Sequence, residues 1–250
     1  MPLDIGGNRI TSQLLAALPN PGIVTSGLIV YLDAGNIASY PGSGTTWYDL
    51  SGNNNHFTLY NTPTFSTNYF NFDGTNDYAS SASLNLTSYS SVTVDVWLKA
   101  SAGVNGMVWE HTADWNSNPG AIGLAQYSTG AGYSLNESHT NHNTYSPRNY
   151  NQTNGTIWHT ETNIFSRVSD STGRLTYING ATKSFNSTYG TGTATTGSES
   201  FANSTLYIGA RGGSSSVWTG QMGVFLIYGR KLAAAEIQQN FNALRGRYGI

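Results

Sequence analysis

The chain has 250 residues, a formal net charge of −2 at neutral pH, and only 10% charged residues. No basic stripe runs along it, which argues against a nucleic-acid partner, and no apolar run reaches membrane-spanning length, so no membrane partner is expected. It contains no cysteine, which excludes disulfides and thiol chemistry. The apolar bulk is aromatic and β-branched, with 16 Tyr, 9 Phe and 6 Trp, and 29 glycines supply turns, so the composition favours strands over helices.

Residues 1–22 differ in composition from the rest of the chain. The run "ITSQLLAAL" is helix-like, Thr11 or Ser12 can cap it, and "PNPG" ends it. Its apolar patch is too short for the core of a signal peptide, so we expect synthesis without a secretory leader. So short a helix is not stable alone in water, and its apolar face must pack against the rest of the chain or against a partner. We predict the second, an assembly arm whose contacting side chains are Ile10, Leu14, Leu15 and Leu18.

From residue 23 to residue 250, short strand patterns alternate with turn residues. Runs such as "LIVYLDA", "STLYIGA" and "MGVFLIYG", with no alternation of strands and helices, predict one antiparallel sandwich or barrel. Residues 111–156 have weak periodicity and predict long loops with short edge strands. Near the C-terminus, "AAAEIQQNFNAL" predicts a short helix, because apolar residues recur at helical spacing. These residues are Leu232, Ile237, Phe241 and Leu244.

The stretch "SVTVDVWLKA" is the clearest strand pattern. Every second residue is apolar, which predicts one buried face, and the opposite face is more polar, although Trp97 interrupts it. We expect Trp97 and Trp158, which lie on regular strands, to belong to the core. The apolar face consists of Val92, Val94, Val96 and Leu98, and the other face of Thr93, Asp95, Trp97 and Lys99.

Three segments carry a family resemblance. The segment "LYIGARGGSSSVWTGQMGVFLIYGRKLAAAEIQQNFNALRGRYGI" resembles the end of concanavalin A-like lectin/glucanase domains of the laminin G-like group, in which "LYIG", a loop, "F-x-G", "IYNRAL" and a short "EI" helix follow one another. "YFNFDGTNDYA" is similar to the group's "F-x-F-DG-x-x-D-Y" turn, and "IWHTETNIFSRVSDSTGRLTYINGATKS" to its "WHHVA…LYVNG" hairpin. The resemblance covers residues 27–250. It implies an all-β fold, a jelly-roll β-sandwich of two antiparallel sheets, with a short N-terminal arm and a short C-terminal helix.

The opening "GLIVYLDAGNIASYPGSGTTWYDLSGNNNHFTLYN" is similar to versions found in tailed-bacteriophage virion proteins. This implies a non-enzymatic structural protein on the virion surface, as a capsid decoration, fibre or tail component. Its partners would be copies of itself, for example in a trimer, and other virion proteins. The alternative is a lectin module that binds a host-surface glycan. A glycoside hydrolase is a third hypothesis, since this fold carries lectins, hydrolases and structural modules alike.

The stretch "FNFDGTNDYA" places Asp73, Asn76 and Asp77 at a turn. Calcium takes six to eight oxygen ligands, so these side chains could contribute to a Ca²⁺ site. The alternative is a hairpin tip whose Asx side chains accept hydrogen bonds from local N–H groups. Many members of the group have an acidic pair before the "IYNRAL" strand, where this chain has Gly223 and Val224. We expect no cofactor other than this calcium ion.

Acids and histidines with catalytic or metal-binding spacing are sparse. Glycoside hydrolases on this fold usually show a Glu-x-Asp-x-x-Glu or Glu-x-Asp-x-Glu run, which this chain lacks. Glu110 and Asp114 come nearest, but "TADWNSN" has the composition of a polar loop, so we predict that neither is catalytic. His139 and His142 lie in an Asn-rich loop and are expected to be solvated rather than to bind a metal.

Aromatic residues in or beside the middle region are candidates for carbohydrate or partner contact. An exposed aromatic ring can stack on the apolar face of a sugar while polar neighbours bind its hydroxyls. The alternative for each of them is core filling or a subunit contact. The candidates are Trp109, Trp115, Tyr127, Tyr133 and Tyr145.

Overall fold

The computed structural model describes residues 22–101, 105–113, 118, 120–127, 132–137, 148–151, 157–167, 175–183 and 200–250, with the backbone alone for 127, 132–137 and 148–151. These residues form two antiparallel sheets and a C-terminal helix, which confirms the predicted all-β sandwich. In chain order the elements are β1 (Leu28–Asp33), β2 (Thr46–Trp47), β3 (Phe57–Tyr60), β4 (Thr64–Ser66), β5 (Tyr69–Asp73), β6 (Tyr78–Asn85), β7 (Ser91–Ala100), β8 (Gly106–His111), β9 (Ile122–Tyr127), β10 (Gly132–Glu137), β11 (Arg148–Asn151), β12 (His159–Ser166), β13 (Leu175–Ile178), β14 (Ala181–Lys183), β15 (Asn203–Ile208), β16 (Thr219–Tyr228) and α1 (Ala234–Tyr248).

Each sheet joins strands that are consecutive in the chain to strands that are distant in it. Sheet A has the order β14-β13-β12-β7-β16-β5-β4, and β1 also pairs with β16. Sheet B has the order β11-β10-β9-β8-β15-β6-β3-β2. Strand β16 pairs along one side with β7, and along the other with β5 and then β1. The predicted hairpin around "LTYING" is present as the β12–β13 pair.

The free side of β1 is covered by the "DLSGNNN" segment that follows β2. The Asp49 carboxylate accepts the Tyr31 N–H at 2.8 Å, and the Leu50 N–H donates to the Tyr31 carbonyl at 2.8 Å. The side-chain amide of Asn55 donates to the carbonyl of Ile29 at 2.9 Å. Side chains thus replace a neighbouring strand, and the backbone of β1 is not left open for pairing with another chain.

The inward faces of the two sheets form a core that is rich in aromatic residues. Val92, Val94, Val96 and Leu98 point into it, as the alternating pattern predicts. The opposite face of β7 is also buried: Thr93 is 0% and Asp95 1% exposed. This face is more polar, as expected, yet it is largely buried, because α1 covers this side of sheet A.

Helix α1 begins and ends at residues suited to those positions. The Glu236 carboxylate accepts the N–H of Ala233 at 2.8 Å and is held by both terminal nitrogens of Arg230. At the other end, Gly249 has φ of +71° and donates its N–H to the carbonyl of Arg245. The predicted stripe is confirmed in that Ile237 and Leu244 are buried against sheet A, while Phe241 stacks on Trp97. No helix within the described ranges is long and apolar enough to cross a bilayer.

Asn240 lies at the centre of the interface between α1 and sheet A and is 0% exposed. Its amide oxygen accepts the N–H of Val24 at 2.8 Å, and its amide nitrogen donates to the Tyr228 hydroxyl at 3.0 Å and to Asp95 at 3.3 Å. Asp95 also accepts the hydroxyl of Thr162 at 3.0 Å. Burial raises the pKa of Asp95 to about 6, against the opposing effect of these two hydrogen bonds. One amide thus connects the helix, β16, β7 and the segment that precedes β1.

We expect the substitution Asn240→Ala to lower the free energy of unfolding by about 2–4 kcal/mol, because it leaves several buried polar groups without partners. Urea unfolding followed by tryptophan fluorescence measures this change. The control Asn242→Ala lies on the exposed side of the same helix. It should change the unfolding free energy by less than about 0.5 kcal/mol. Equal effects of the two substitutions would contradict the central role of Asn240.

Candidate functional site

The outer face of sheet B carries three tyrosines on neighbouring strands. Tyr60 of β3 lies directly opposite Tyr78 of β6, and their rings stack with centroids 4.4 Å apart and planes 5° apart. The ring of Tyr207, on β15, lies 6.5 Å from that of Tyr78. The flanking residues Leu59 and Leu206 are buried in the core, so alternation directs the tyrosines outward. We call Tyr60, Tyr78 and Tyr207 the tyrosine ladder.

The ladder is accessible and is supported by the loop that follows β15. Tyr60 is 39% exposed, and Tyr78 and Tyr207 are half-buried. Gly213 has φ of +74°, and a Cβ atom there would lie 2.8 Å from a ring carbon of Tyr78. Glycine is therefore required both by the backbone conformation and by the close approach to the ring. Burial, followed by the neighbouring tyrosines, raises the pKa of Tyr78, so its hydroxyl stays protonated at neutral pH.

An ion pair lies beside the ladder on the same face. Glu110 of β8 is paired across the strands with Tyr207, and its carboxylate lies 3.4 Å from Nε of Arg211. The Glu110 side chain is fully buried, whereas that of Arg211 is 21% exposed. The ion pair places a charged donor next to the aromatic rings. Rings of this kind can stack on a sugar, and the guanidinium and nearby hydroxyls can donate to its oxygens.

The aromatic candidates predicted from the sequence have different outcomes. Trp109 is 0% exposed and packs edge-on against Phe165 and Phe225 in the core, so its prediction as a contact residue is wrong. The reason is that β8 continues through this residue, with a bulge that turns its side chain inward. Tyr127 and Tyr133 lie on β9 and β10, whose side chains there are not described. Trp115 and Tyr145 lie outside the described residues, and these four candidates stay predictions.

The tyrosine ladder was missed by reasoning from the sequence. Each tyrosine occupies the outward position of an alternating run, in "FTLY", "DYAS" and "TLYI". This signal is visible, but it does not show that the three rings meet. Their proximity depends on the order β3-β6-β15, which joins strands that are distant in sequence.

The Asp73–Asp77 turn connects β5 to β6 and is held by its own side chains. One carboxylate oxygen of Asp73 accepts the N–H groups of Thr75, Asn76 and Asp77 at 2.7, 3.3 and 3.4 Å. Asp77 in turn accepts the N–H of Asp73 at 3.2 Å. The hydrogen bond from the Thr75 N–H is the largest cause of the lowered pKa of Asp73. Burial, followed by the charge of Asp73, raises the pKa of Asp77. The structure therefore shows the turn-shaping role that was one of the two alternatives.

Calcium binding at Asp73, Asn76 and Asp77 stays a prediction. A calcium ion would compete with three backbone N–H groups for the Asp73 carboxylate. Within the part of the chain that the structure describes, no group of three or more His, Asp or Glu residues is placed to hold a metal. The histidines His139 and His142 lie outside the described residues.

Glu161 of β12 is a buried carboxylate that the sequence did not single out. It faces the interior of the sandwich, opposite Val96, and is 1% exposed. One oxygen accepts the amide of Asn163 at 3.3 Å, while the other has no hydrogen-bond partner. Burial raises its pKa to about 8. A shifted carboxyl in an open cleft would suggest catalysis, but this one is sealed from solvent and is a source of pH-dependent stability.

The pKa of Glu161 predicts how stability changes with pH. In the folded chain it is raised from 4.5 to about 8, so the folded state retains a proton that the unfolded state loses over this range. Its contribution to stability is complete below pH 4.5 and is lost as the pH rises towards 8. We therefore expect Glu161→Gln to raise the melting temperature relative to the unmodified chain, and by more at pH 8 than at pH 5.

A second variant provides the control for this pH dependence. The hydrogen bond from Arg230 lowers the pKa of Glu236 to about 2, so this carboxyl is charged throughout the range from pH 5 to pH 8. The effect of Glu236→Gln on the melting temperature should therefore be the same at both pH values. A Glu161→Gln effect that does not grow with pH would show that this carboxyl is not held neutral.

Comparison with known proteins agrees with the architecture. A laminin G-like family model, described as the concanavalin A-like lectin/glucanases superfamily, matches residues 73–238. No curated protein matches the chain. The matched range runs from the Asp73 turn to the first part of α1, so it includes Tyr78 and Tyr207.

Solved structures with the same fold share little sequence with this chain. The ligand binding domain of botulinum neurotoxin serotype D, in complex with N-acetylneuraminic acid, has a TM-score of 0.65 and 16% identity over 87% of this chain and 51% of that one. The binding domain of botulinum neurotoxin DC, in complex with rat synaptotagmin II, has a TM-score of 0.63 and 14% identity over 88% and 52%. A Trypanosoma rangeli sialidase in complex with sialic acid has a TM-score of 0.63 and 15% identity over 89% and 34%.

This chain spans about half the length of the toxin binding domains and about a third of the sialidase. At such low identity the likeness concerns the fold alone. The family model, in contrast, covers well over half of the chain and agrees with the two-sheet topology. The chain therefore belongs to the concanavalin A-like lectin/glucanase superfamily.

Proposed function

We propose that the chain is a non-catalytic, lectin-like module that binds a glycan on the tyrosine ladder. The observation that carries this proposal is the stacked pair Tyr60–Tyr78, continued by Tyr207, on the outer face of sheet B. Helix α1 packs on the outer face of sheet A, whereas among the described residues the ladder on sheet B is accessible. A flat row of rings suits the apolar face of a sugar, and stacking depends on ring area rather than on one fixed hydrogen-bond pattern.

The carboxylates around the ladder support a role without catalysis. Glycoside hydrolysis needs two carboxyl groups on either side of the scissile bond. Among the described residues, Glu110 is buried beneath Arg211, Asp73 is engaged in its turn, and Glu161 is sealed in the sandwich. Asp114, the other acid considered from the sequence, lies outside the described residues.

Two structural neighbours lend support to a sugar ligand. The toxin ligand binding domain is in complex with N-acetylneuraminic acid and the sialidase with sialic acid. These ligands belong to those larger proteins. Since this chain shares its fold with both proteins, these ligands are consistent with the proposal that it also binds a carbohydrate.

Loss of ring area on the ladder should weaken glycan binding. After a glycan array has identified a ligand, calorimetry with that ligand should give about tenfold weaker binding for Tyr60→Ala and for Tyr207→Ala. Tyr60→Phe keeps the ring and should keep most of the affinity. The control is Tyr48→Ala, since Tyr48 is 42% exposed but lies outside the ladder. If both ladder variants bind as well as the control, the proposed site is wrong.

We also propose that the module is displayed on a tailed-bacteriophage virion, with residues 1–22 as the arm that anchors it. The support is the resemblance of residues 27–61 to virion proteins. Residues 1–21 of the arm, with Ile10, Leu14, Leu15 and Leu18, lie outside the described residues. The last residue of the arm and the chain that follows it are firmly attached, since the Gly22 carbonyl accepts the amide of Gln239 at 2.8 Å and Val24 is bound to Asn240. A pulling force on the arm would therefore act on α1 through these hydrogen bonds.

Deletion of residues 1–21 should leave a folded sandwich that no longer assembles. The described contacts of Gly22 and Val24 are kept, so the melting temperature should change little. Sedimentation of the full chain should show an oligomer, for example a trimer, and that of the shortened chain a monomer. An unchanged oligomer, or a shortened chain that unfolds, would show that residues 1–21 are not an assembly arm.

A further inference from the structure

A cleft of about 870 Å³ opens at one end of the sandwich, away from the tyrosine ladder. It lies where β8 and β12 end and β15 begins. We call it the end cleft. Its wall consists mainly of hydroxyl and amide side chains together with one guanidinium group. The residues that bear on its chemistry are Thr87, Thr112, Asn118, Arg167, Asn203 and Ser204.

Arg167 is the one charged residue among the described residues that line the end cleft. Its Nη1 donates to the carbonyls of Thr87 and Tyr89 at 3.3 Å each, and its own backbone N–H donates to Ser90 at 3.0 Å. Its Nε is buried and has no acceptor. No carboxylate among the described residues pairs with it. Within the described residues the guanidinium is thus held in place by carbonyl groups and has no carboxylate partner, which favours an external anion.

Thr112, which also lines the end cleft, has a strained backbone conformation. Its φ of +124° is unusual for a β-branched residue, and it follows directly after β8. Its N–H donates to the Thr205 carbonyl at 3.1 Å, which holds the backbone there. Its hydroxyl is buried and has no partner. Strain of this kind persists where the surroundings impose it, and it is concentrated at binding sites.

We propose that the end cleft binds the anionic group of an acidic sugar, a carboxylate or a sulfate, through the guanidinium of Arg167. With Nη1 engaged by two carbonyls and Nε buried, Nη2 is the guanidinium nitrogen left to donate to either anion. The remaining wall supplies hydroxyl and amide groups, which match the hydroxyls of a sugar ring. This site goes beyond the tyrosine ladder, where binding is by ring stacking. Strand β15 links the two sites, because Ser204 and Tyr207 are separated by roughly 10 Å along it.

The test is an NMR titration of the full chain with four probes: galacturonate, galactose 6-sulfate, galactose and inorganic sulfate. We expect at least one anionic sugar to shift the Arg167 Nε–H signal and the amide signal of Ser204, and galactose to shift neither. Arg167→Gln should weaken this binding at least ~10-fold. Arg245→Gln, the same change on an exposed part of α1, should not. Absence of a shift with both anionic sugars would overturn the proposal.

Two further variants keep the test independent of folding. Ala113 is exposed on the rim of the cleft. Ala113→Asp should abolish anion binding by charge repulsion, whereas the neutral Ala113→Asn should retain it. If inorganic sulfate alone binds as tightly as either sugar, recognition of a sugar is refuted. If Tyr60→Ala abolishes the response and Arg167→Gln does not, the anion binds at the ladder and the end-cleft proposal fails, while the proposed function stands.

Discussion

The buried amide of Asn240 is the interaction on which the arrangement of the sandwich depends. It provides two donated and one accepted hydrogen bond in a place that water does not reach, and its partners come from β7, β16 and the segment before β1. An apolar side chain could fill the same volume, but it would not fix which groups meet. The amide therefore selects one position of α1 on sheet A among the many that apolar packing alone would allow.

This docking divides the molecule into a sealed side and an open side. Trp97, which would otherwise be exposed on sheet A, is covered by Phe241 and Tyr248 of the helix. The free side of β1 is covered by Asp49 and Asn55. Sheet B differs in that three of its tyrosines are turned outward in the ladder. Adjacent aromatic rings exposed on one face of the described structure are typical of a binding surface.

Local patterns in the sequence were sufficient for the strands, the sandwich and α1, because alternation and helical spacing are properties of a short window. They were insufficient wherever the outcome depended on distant residues. The face of β7 with Asp95 is buried only because α1 covers it, and Asn240 is 145 residues further along the chain. Trp109 was expected as a contact residue, since no local pattern reveals the bulge that turns it inward. The ladder and the end cleft likewise depend on strand order.

The position of β16 in sheet A has a consequence for biosynthesis. This strand separates β7 from both β5 and β1, and it is the last strand of the described chain, ending at Tyr228. Until the ribosome has released that segment, β7, β5 and β1 lack the neighbour that joins them, and the backbone groups on their edges facing β16 have no strand partner. The joint between β7, β5 and β1 therefore forms only after β16 has emerged, through contacts of large sequence separation. A nascent chain stalled before residue 219 would expose three strands prone to pairing with other molecules.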